Sequence, residues 1–124
     1  MYQAPKLSFF PRLVRSFCDA FRGLLYVWKE EQNFRIQACI AICAIASLFL
    51  LQFTYIEISL AIFSIVLVLA SEVINTTFED ILNKVEPNHD PAIGRIKDIA
   101  AGVVVLNVIG AFLVASSVII HHFF

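Results

Sequence analysis

The composition of this 124-residue chain indicates the solvent in which it folds. Sixty per cent of its residues are hydrophobic, 15% are charged, and the mean hydropathy is +0.83. These values exclude an ordinary soluble domain. The apolar residues also form three long runs instead of recurring at the period of a soluble helix or strand. The net charge of −1 gives no sign of a nucleic-acid partner, and we expect none. The sequence predicts an integral membrane protein.

The segment ahead of these runs, residues 7–30, has the pattern of an amphipathic helix. Basic and polar side chains take one side of it, and apolar side chains recur every three or four positions on the other: Leu13, Val14, Phe17, Phe21, Leu24, Leu25 and Trp28. A basic, aromatic-rich helix of this kind is typical of a membrane surface. Packing of its apolar side against the protein's own helices is the alternative.

The three apolar runs predict transmembrane helices at residues 33–53, 56–85 and 92–121. At about 1.5 Å per residue, each covers most or all of a hydrocarbon core of about 30 Å. The second run continues beyond the membrane at helical period. The predicted fold is therefore an all-α membrane protein with a surface helix followed by three transmembrane helices.

The distribution of positive charge predicts the orientation. All nine lysine and arginine residues lie before or within the first turn of the first span, up to Arg35, or in residues 84–97, from the end of the second span to the start of the third. Under the positive-inside rule, the N-terminus and residues 83–97 are cytoplasmic, whereas residues 52–57 and the end of the last span face outside. His121 and His122, at this outer end, either bind a metal or form a polar helix terminus.

The stretch "LVLASEVINTTFEDILNK" carries a polar stripe on the second span. Its members fall within about a third of the helix circumference: Glu72, Asn75, Thr76, Glu79 and Asn83. Exposure of this stripe to lipid would be costly, so it must face the interior of a helix bundle or a neighbouring chain. Polar contacts between helices and a solvated helix end would also explain it.

Further charged groups lie at the same predicted depth as the stripe. Glu30 and Glu31 precede the first span, and Lys97 and Asp98 begin the third. Because Mg²⁺ requires only one or two carboxylates when water and phosphates supply the other ligands, this layer could hold a metal–nucleotide complex. It could do so without a glycine-rich phosphate loop, which the sequence lacks.

The segments "EEQNFRIQ", "EVINTTFED" and "GRIKDIAAG" resemble, in order, the signature segments of the small prokaryotic diacylglycerol kinases and undecaprenol kinases. The resemblance covers nearly the whole chain. It implies a homotrimer in the bacterial cytoplasmic membrane, with active sites between neighbouring subunits. Such an enzyme transfers the γ-phosphate of MgATP to the hydroxyl group of a membrane lipid.

The same resemblance implies roles for individual residues. Glu72 corresponds to the general base, and Glu31 and Glu79 correspond to the ligands of Mg²⁺. The implied nucleotide contacts are Arg12, Glu31, Glu79, Gly94, Arg95, Lys97 and Asp98. The implied lipid contacts are Arg35, Glu72, Asn75 and Ala101, and Gly23 corresponds to a residue of the surface helix.

Two departures from the family pattern leave the lipid substrate open. Asn83 stands where an aspartate is usual, and Ala101 replaces the serine of the enterobacterial type. The segments "NFRIQ" and "KDIAAG" resemble undecaprenol kinases, whereas "GRIKD" resembles diacylglycerol kinases.

A non-enzymatic oligomeric membrane protein, such as a transporter accessory subunit or a channel, is the alternative function. The polar positions gather at one end of the second span, which favours the enzyme.

Overall fold

A computed structural model describes residues 8–124, and all regular structure in this range is helical. The elements are α1 (Phe9–Glu30), α2 (Gln32–Leu50), α3 (Tyr55–Val85) and α4 (Pro91–Phe123). Within this range, α2, α3 and α4 are the three helices that are long and apolar enough to cross a membrane. The prediction of an all-α membrane protein is confirmed, and the homotrimer stays a prediction.

Helix α1 carries its apolar side chains on an exposed surface. It begins at Phe9, and Pro11 lies in the first turn, where a missing N–H group costs no hydrogen bond. Position 7, the predicted start, lies outside the described residues. Phe17 and Phe21 are 59% and 64% exposed, so this side of α1 does not pack against the rest of the chain. This arrangement fits a helix lying in a membrane surface.

A single extended residue, Glu31, separates α1 from α2. Its backbone has φ −102° and ψ 107°, and its N–H group donates to the carbonyl oxygen of Val27 at 2.8 Å. The guanidinium group of Arg35 donates to the carbonyl oxygens of Trp28 and Lys29 at 2.8 and 2.7 Å. These bonds satisfy carbonyl groups that the end of a helix leaves without partners. The junction therefore holds Glu31 at a fixed place between the two helices.

The connection between α2 and α3 is short and well capped. Helix α2 ends at Leu50, before the predicted end at residue 53, because Gln52 adopts φ 58° and so cannot continue a right-handed helix. Thr54 then begins α3 with a capping box. The N–H group of Glu57 donates to Thr54 Oγ1 at 3.3 Å, and the N–H group of Thr54 donates to Glu57 Oε2 at 2.8 Å.

Glu57 also connects α3 to the end of α4. Its side chain is buried, and Oε1 lies 2.8 Å from Nδ1 of His121. Nδ1 of His122 lies 3.5 Å from Oε2, and the ring of His122 stacks on Phe53 at a centroid distance of 3.8 Å. In the described part of the chain, no group of three acidic, histidine or cysteine side chains is arranged to hold a metal. The two histidines instead contact the acid of α3.

Helix α3 lies between α2 and α4. It packs against both, whereas α2 and α4 have no Cα atoms within 8 Å of each other among residues 8–124. The gap forms an apolar groove of about 550 Å³ with α3 as its floor. The groove extends from Gln37, near the start of α2, to Phe53 and Phe123 at the other end of the molecule. At one end of this groove, Gln37 contacts the polar stripe through Glu72.

Candidate functional site

The polar stripe of α3 turns inward over its first part. Ser71, Glu72 and Thr76 are 4%, 5% and 3% exposed. Asn75 and Glu79 are half-buried, and Asn83 is exposed. The stripe therefore passes from the protein interior to the surface within three helical turns, as the cost of placing acids in lipid requires.

The buried carboxylate of Glu72 is held by an amide from α2. Gln37 Nε2 donates to Glu72 Oε2 at 3.1 Å. Gln37 Oε1 is buried and has no partner among the described residues. The sequence places Gln37 at the level of the lipid headgroup but does not indicate that it contacts Glu72. The signal that could have indicated this contact is a lone amide near the start of an apolar span.

One helical turn beyond Glu72, an amide pairs with the second acid. Asn75 Nδ2 donates to Glu79 Oε1 at 3.4 Å. Asn75 Oδ1 is buried and has no partner in the part of the chain that the structure describes. Since buried polar atoms in native structures are normally hydrogen-bonded, this oxygen is available to accept a bond from a group that enters the site.

Glu31 joins the acids of α3 from the α1–α2 junction. Burial raises the pKa of Glu31, and the negative charges of Glu79 and Glu72 raise that pKa further. Three carboxylates from two parts of the chain therefore share one electrostatic environment. A divalent cation would relieve this repulsion, and Mg²⁺ requires only one or two of the carboxylates. Among residues 8–124, no three acidic, histidine or cysteine side chains are close enough to hold a metal by themselves, so Mg²⁺ here would need water and phosphate oxygens for most of its ligand shell.

Helix α4 contributes a cation next to the acidic layer. The ammonium group of Lys97 donates to Asn83 Oδ1, one helical turn from Glu79. Asp98 and Arg95 are exposed beside it, and Gly94 is half-buried. A Cβ atom at Gly94 would meet no atom within 4 Å, so the packing of the described residues does not require glycine there. The same is true of Gly23.

The remaining predicted site residues lie on α1, α2 and α4. Arg12 is in the first turns of α1, about 28 Å from Glu31 along the helix at 1.5 Å per residue, so one chain does not bring these two residues together. Arg35, predicted to contact the lipid, directs its guanidinium group to the end of α1. Ala101 is half-buried on α4, one turn beyond Lys97.

The sequence model described as prokaryotic diacylglycerol kinase matches residues 18–119. The chain belongs to the prokaryotic diacylglycerol kinase family. The diacylglycerol kinase of Haemophilus influenzae is 33% identical over 98 residues, which cover 79% of this chain and 80% of that protein. That of Escherichia coli K12 is 25% identical over 114 residues, which cover 92% and 93%.

A third member, the diacylglycerol kinase of Synechocystis, is 29% identical over 111 residues. The match covers 89% of this chain and 63% of the Synechocystis protein, so the chain spans less than two thirds of that relative. Family membership identifies the chain as an ATP-dependent lipid kinase of the membrane. It therefore favours the enzyme over the non-enzymatic membrane protein that composition alone left open.

Proposed function

We propose that this kinase transfers the γ-phosphate of MgATP to the hydroxyl group of undecaprenol or diacylglycerol at the cytoplasmic face of the bacterial inner membrane. The observation that carries this proposal is the buried carboxylate of Glu72 beside one end of the apolar groove. A lipid chain lying in the groove would bring its hydroxyl group to Gln37 and hence to Glu72. In the predicted orientation, the exposed end of the stripe at Asn83 would open the site to the cytoplasm.

In the proposed reaction, Glu72 acts as the general base. Its carboxylate accepts the hydroxyl proton while the lipid oxygen forms a bond to the γ-phosphorus, and the bond from that phosphorus to the bridging oxygen of ADP breaks. The protein forms no covalent bond to the phosphoryl group. Its contribution is to hold the hydroxyl group in line and to keep water away from it.

Charge neutralisation is assigned to the acidic layer and Lys97. Glu31 and Glu79 would hold Mg²⁺, which when bound reduces the negative charge on the phosphate oxygens. Lys97 adds a positive charge from α4, with Asp98, Arg95 and Gly94 in the same helical segment. Asn75 orients Glu79 through its amide group and offers its free oxygen to the headgroup.

The proposed assembly is a homotrimer with shared sites. The position of Arg12 supports it, because this arginine lies too far along α1 to reach Glu31 of its own chain. An α1 helix from a neighbouring subunit would be needed to bring that arginine to the nucleotide.

An assay with each lipid separately tests the choice between undecaprenol and diacylglycerol. The names of the relatives favour diacylglycerol, whereas Ala101 and its flanking segment favour undecaprenol. The test uses purified protein in micelles with labelled ATP and Mg²⁺, offered each lipid separately at the same mole fraction. We expect Mg²⁺-dependent labelling of lipid that is lost in Glu72→Gln. Absence of labelled product with both lipids would refute the proposed function.

A further inference from the structure

Gln37 lies where the apolar groove meets the acidic layer. It lines the groove near the start of α2, and its Nε2 atom donates to Glu72 Oε2 at 3.1 Å. Among residues 8–124, this is the one side-chain hydrogen bond that the Glu72 carboxylate receives. The amide of Gln37 therefore controls the orientation of this carboxylate.

The orientation of the Gln37 amide is itself determined by Glu72. A carboxylate is a hydrogen-bond acceptor, so only the NH₂ end of the amide can face it. The oxygen end then points away and is left buried without a partner among the described residues. The amide thus satisfies the buried carboxylate of Glu72 and leaves its own oxygen without a partner among the described residues.

We propose that Gln37 is a positioning residue for phosphoryl transfer, which acts through Glu72. By holding Oε2 of Glu72, it leaves Oε1 directed to the lipid hydroxyl group and prevents the carboxylate from rotating between orientations. A general base must lie within hydrogen-bonding distance of the proton that it accepts, so loss of this constraint reduces the fraction of productive complexes. The inference rests on the proposed role of Glu72 as the base.

The first test replaces the donor with an apolar side chain of similar length. Gln37→Met removes the hydrogen bond to Glu72 and retains a side chain that suits the groove. We expect kcat to fall at least tenfold, with the KM for MgATP changed by less than twofold. Ser59→Ala is the control, because Ser59 is exposed, does not line the groove, and donates to the carbonyl oxygen of Tyr55. That control should retain full kcat.

A second variant tests whether a change in packing explains the loss of kcat. Gln37→Asn keeps an amide but shortens the side chain by one methylene group, so the amide no longer reaches Glu72. We expect it to lower kcat as Gln37→Met does, and any fall in melting temperature in detergent should be the same in the two variants, because both leave the buried Glu72 carboxylate without its donor. Full kcat in both variants would overturn the positioning role. Unfolding of the variants at the assay temperature, in proportion to the loss of kcat, would also overturn it.

A double-mutant cycle tests whether Gln37 acts through Glu72. Glu72→Asp keeps the carboxylate but withdraws it from Gln37, so the residual activity of this variant should be the same with and without Gln37→Met. Equal losses in both backgrounds would overturn the inference. If the unmodified protein phosphorylates no lipid alcohol, the proposed function fails. If the unmodified protein phosphorylates a lipid alcohol and Gln37→Met does so with the same kcat, only this inference fails.

Discussion

Replacement of Glu79 by glutamine tests the metal role assigned to the acidic layer. The amide retains the shape of the side chain, and its Oε1 can still accept the hydrogen bond that Asn75 Nδ2 donates to Glu79 at 3.4 Å. What Glu79→Gln removes is one of the two charges proposed to hold Mg²⁺. We therefore expect phosphoryl transfer to be abolished while the helices remain assembled.

The magnitude follows from the loss of one charged ligand beside the transferring phosphate. Electrostatic stabilisation of this kind contributes about 3–4 kcal/mol, which corresponds to a rate loss of about 10²–10³-fold. The same change removes a charge that raises the pKa of Glu31, so it relieves repulsion in the folded protein. The melting temperature without Mg²⁺ should stay the same or increase, unlike that of a variant that disrupts packing.

The assay measures turnover against Mg²⁺ concentration with a saturating lipid substrate. Asp80→Asn is the control, since it makes the same charge change one residue away on an exposed side chain that also raises the pKa of Glu31. We expect this control to remain active. Full Mg²⁺-dependent turnover in Glu79→Gln would refute the assignment of Glu79 as a metal ligand.

Three further predictions concern pH, assembly and lipid choice. Because burial and its acidic neighbours raise the pKa of Glu31, Mg²⁺ must displace a proton that persists above the usual carboxyl range. As pH falls, the Mg²⁺ concentration for half-maximal activity should therefore begin to rise while the pH is still above the usual carboxyl range, and it should be constant well above the raised pKa of Glu31; a flat profile would contradict this. Inactive Glu72→Ala and Lys97→Ala chains should regain part of the activity when mixed, and mixed trimers without activity at any ratio would exclude shared sites. Undecaprenol should give the higher kcat/KM, with Ala101→Ser shifting the ratio towards diacylglycerol; a strong diacylglycerol preference in the unmodified protein at matched mole fractions would contradict this.

The membrane solvent explains which features could be predicted from the sequence. Hydrocarbon leaves few alternatives to a helix for a long apolar run, and it makes exposed acids costly. The three spans and the inward direction of Glu72 and Thr76 follow from these two constraints. The end of α2 did not follow, because the positive φ of Gln52 depends on how the chain enters the capping box at Thr54.

Local sequence patterns could not predict contacts between distant parts of the chain. Gln37 and Glu72 are separated by 35 positions, and no periodicity within either helix indicates that they meet. Arg35 is a second case in which local sequence did not indicate the contacts that the side chain makes. Its position in a family motif implied a lipid contact, whereas its hydrogen bonds go to the carbonyl groups at the end of α1.

Side-chain hydrogen bonds connect α3 to α4 at both ends of this helix pair. His121 bonds to Glu57 at one end, and Lys97 bonds to Asn83 at the other, with a short capped connection between the helices. Helix α2 has one side-chain hydrogen bond to this pair in the described structure, that from Gln37 to Glu72. During membrane insertion, α3 and α4 can therefore associate as a stable hairpin before α2 docks. Before α2 docks, Glu72 lacks the amide that orients it. We therefore expect a nascent or partly assembled chain to be inactive and to consume neither lipid nor ATP.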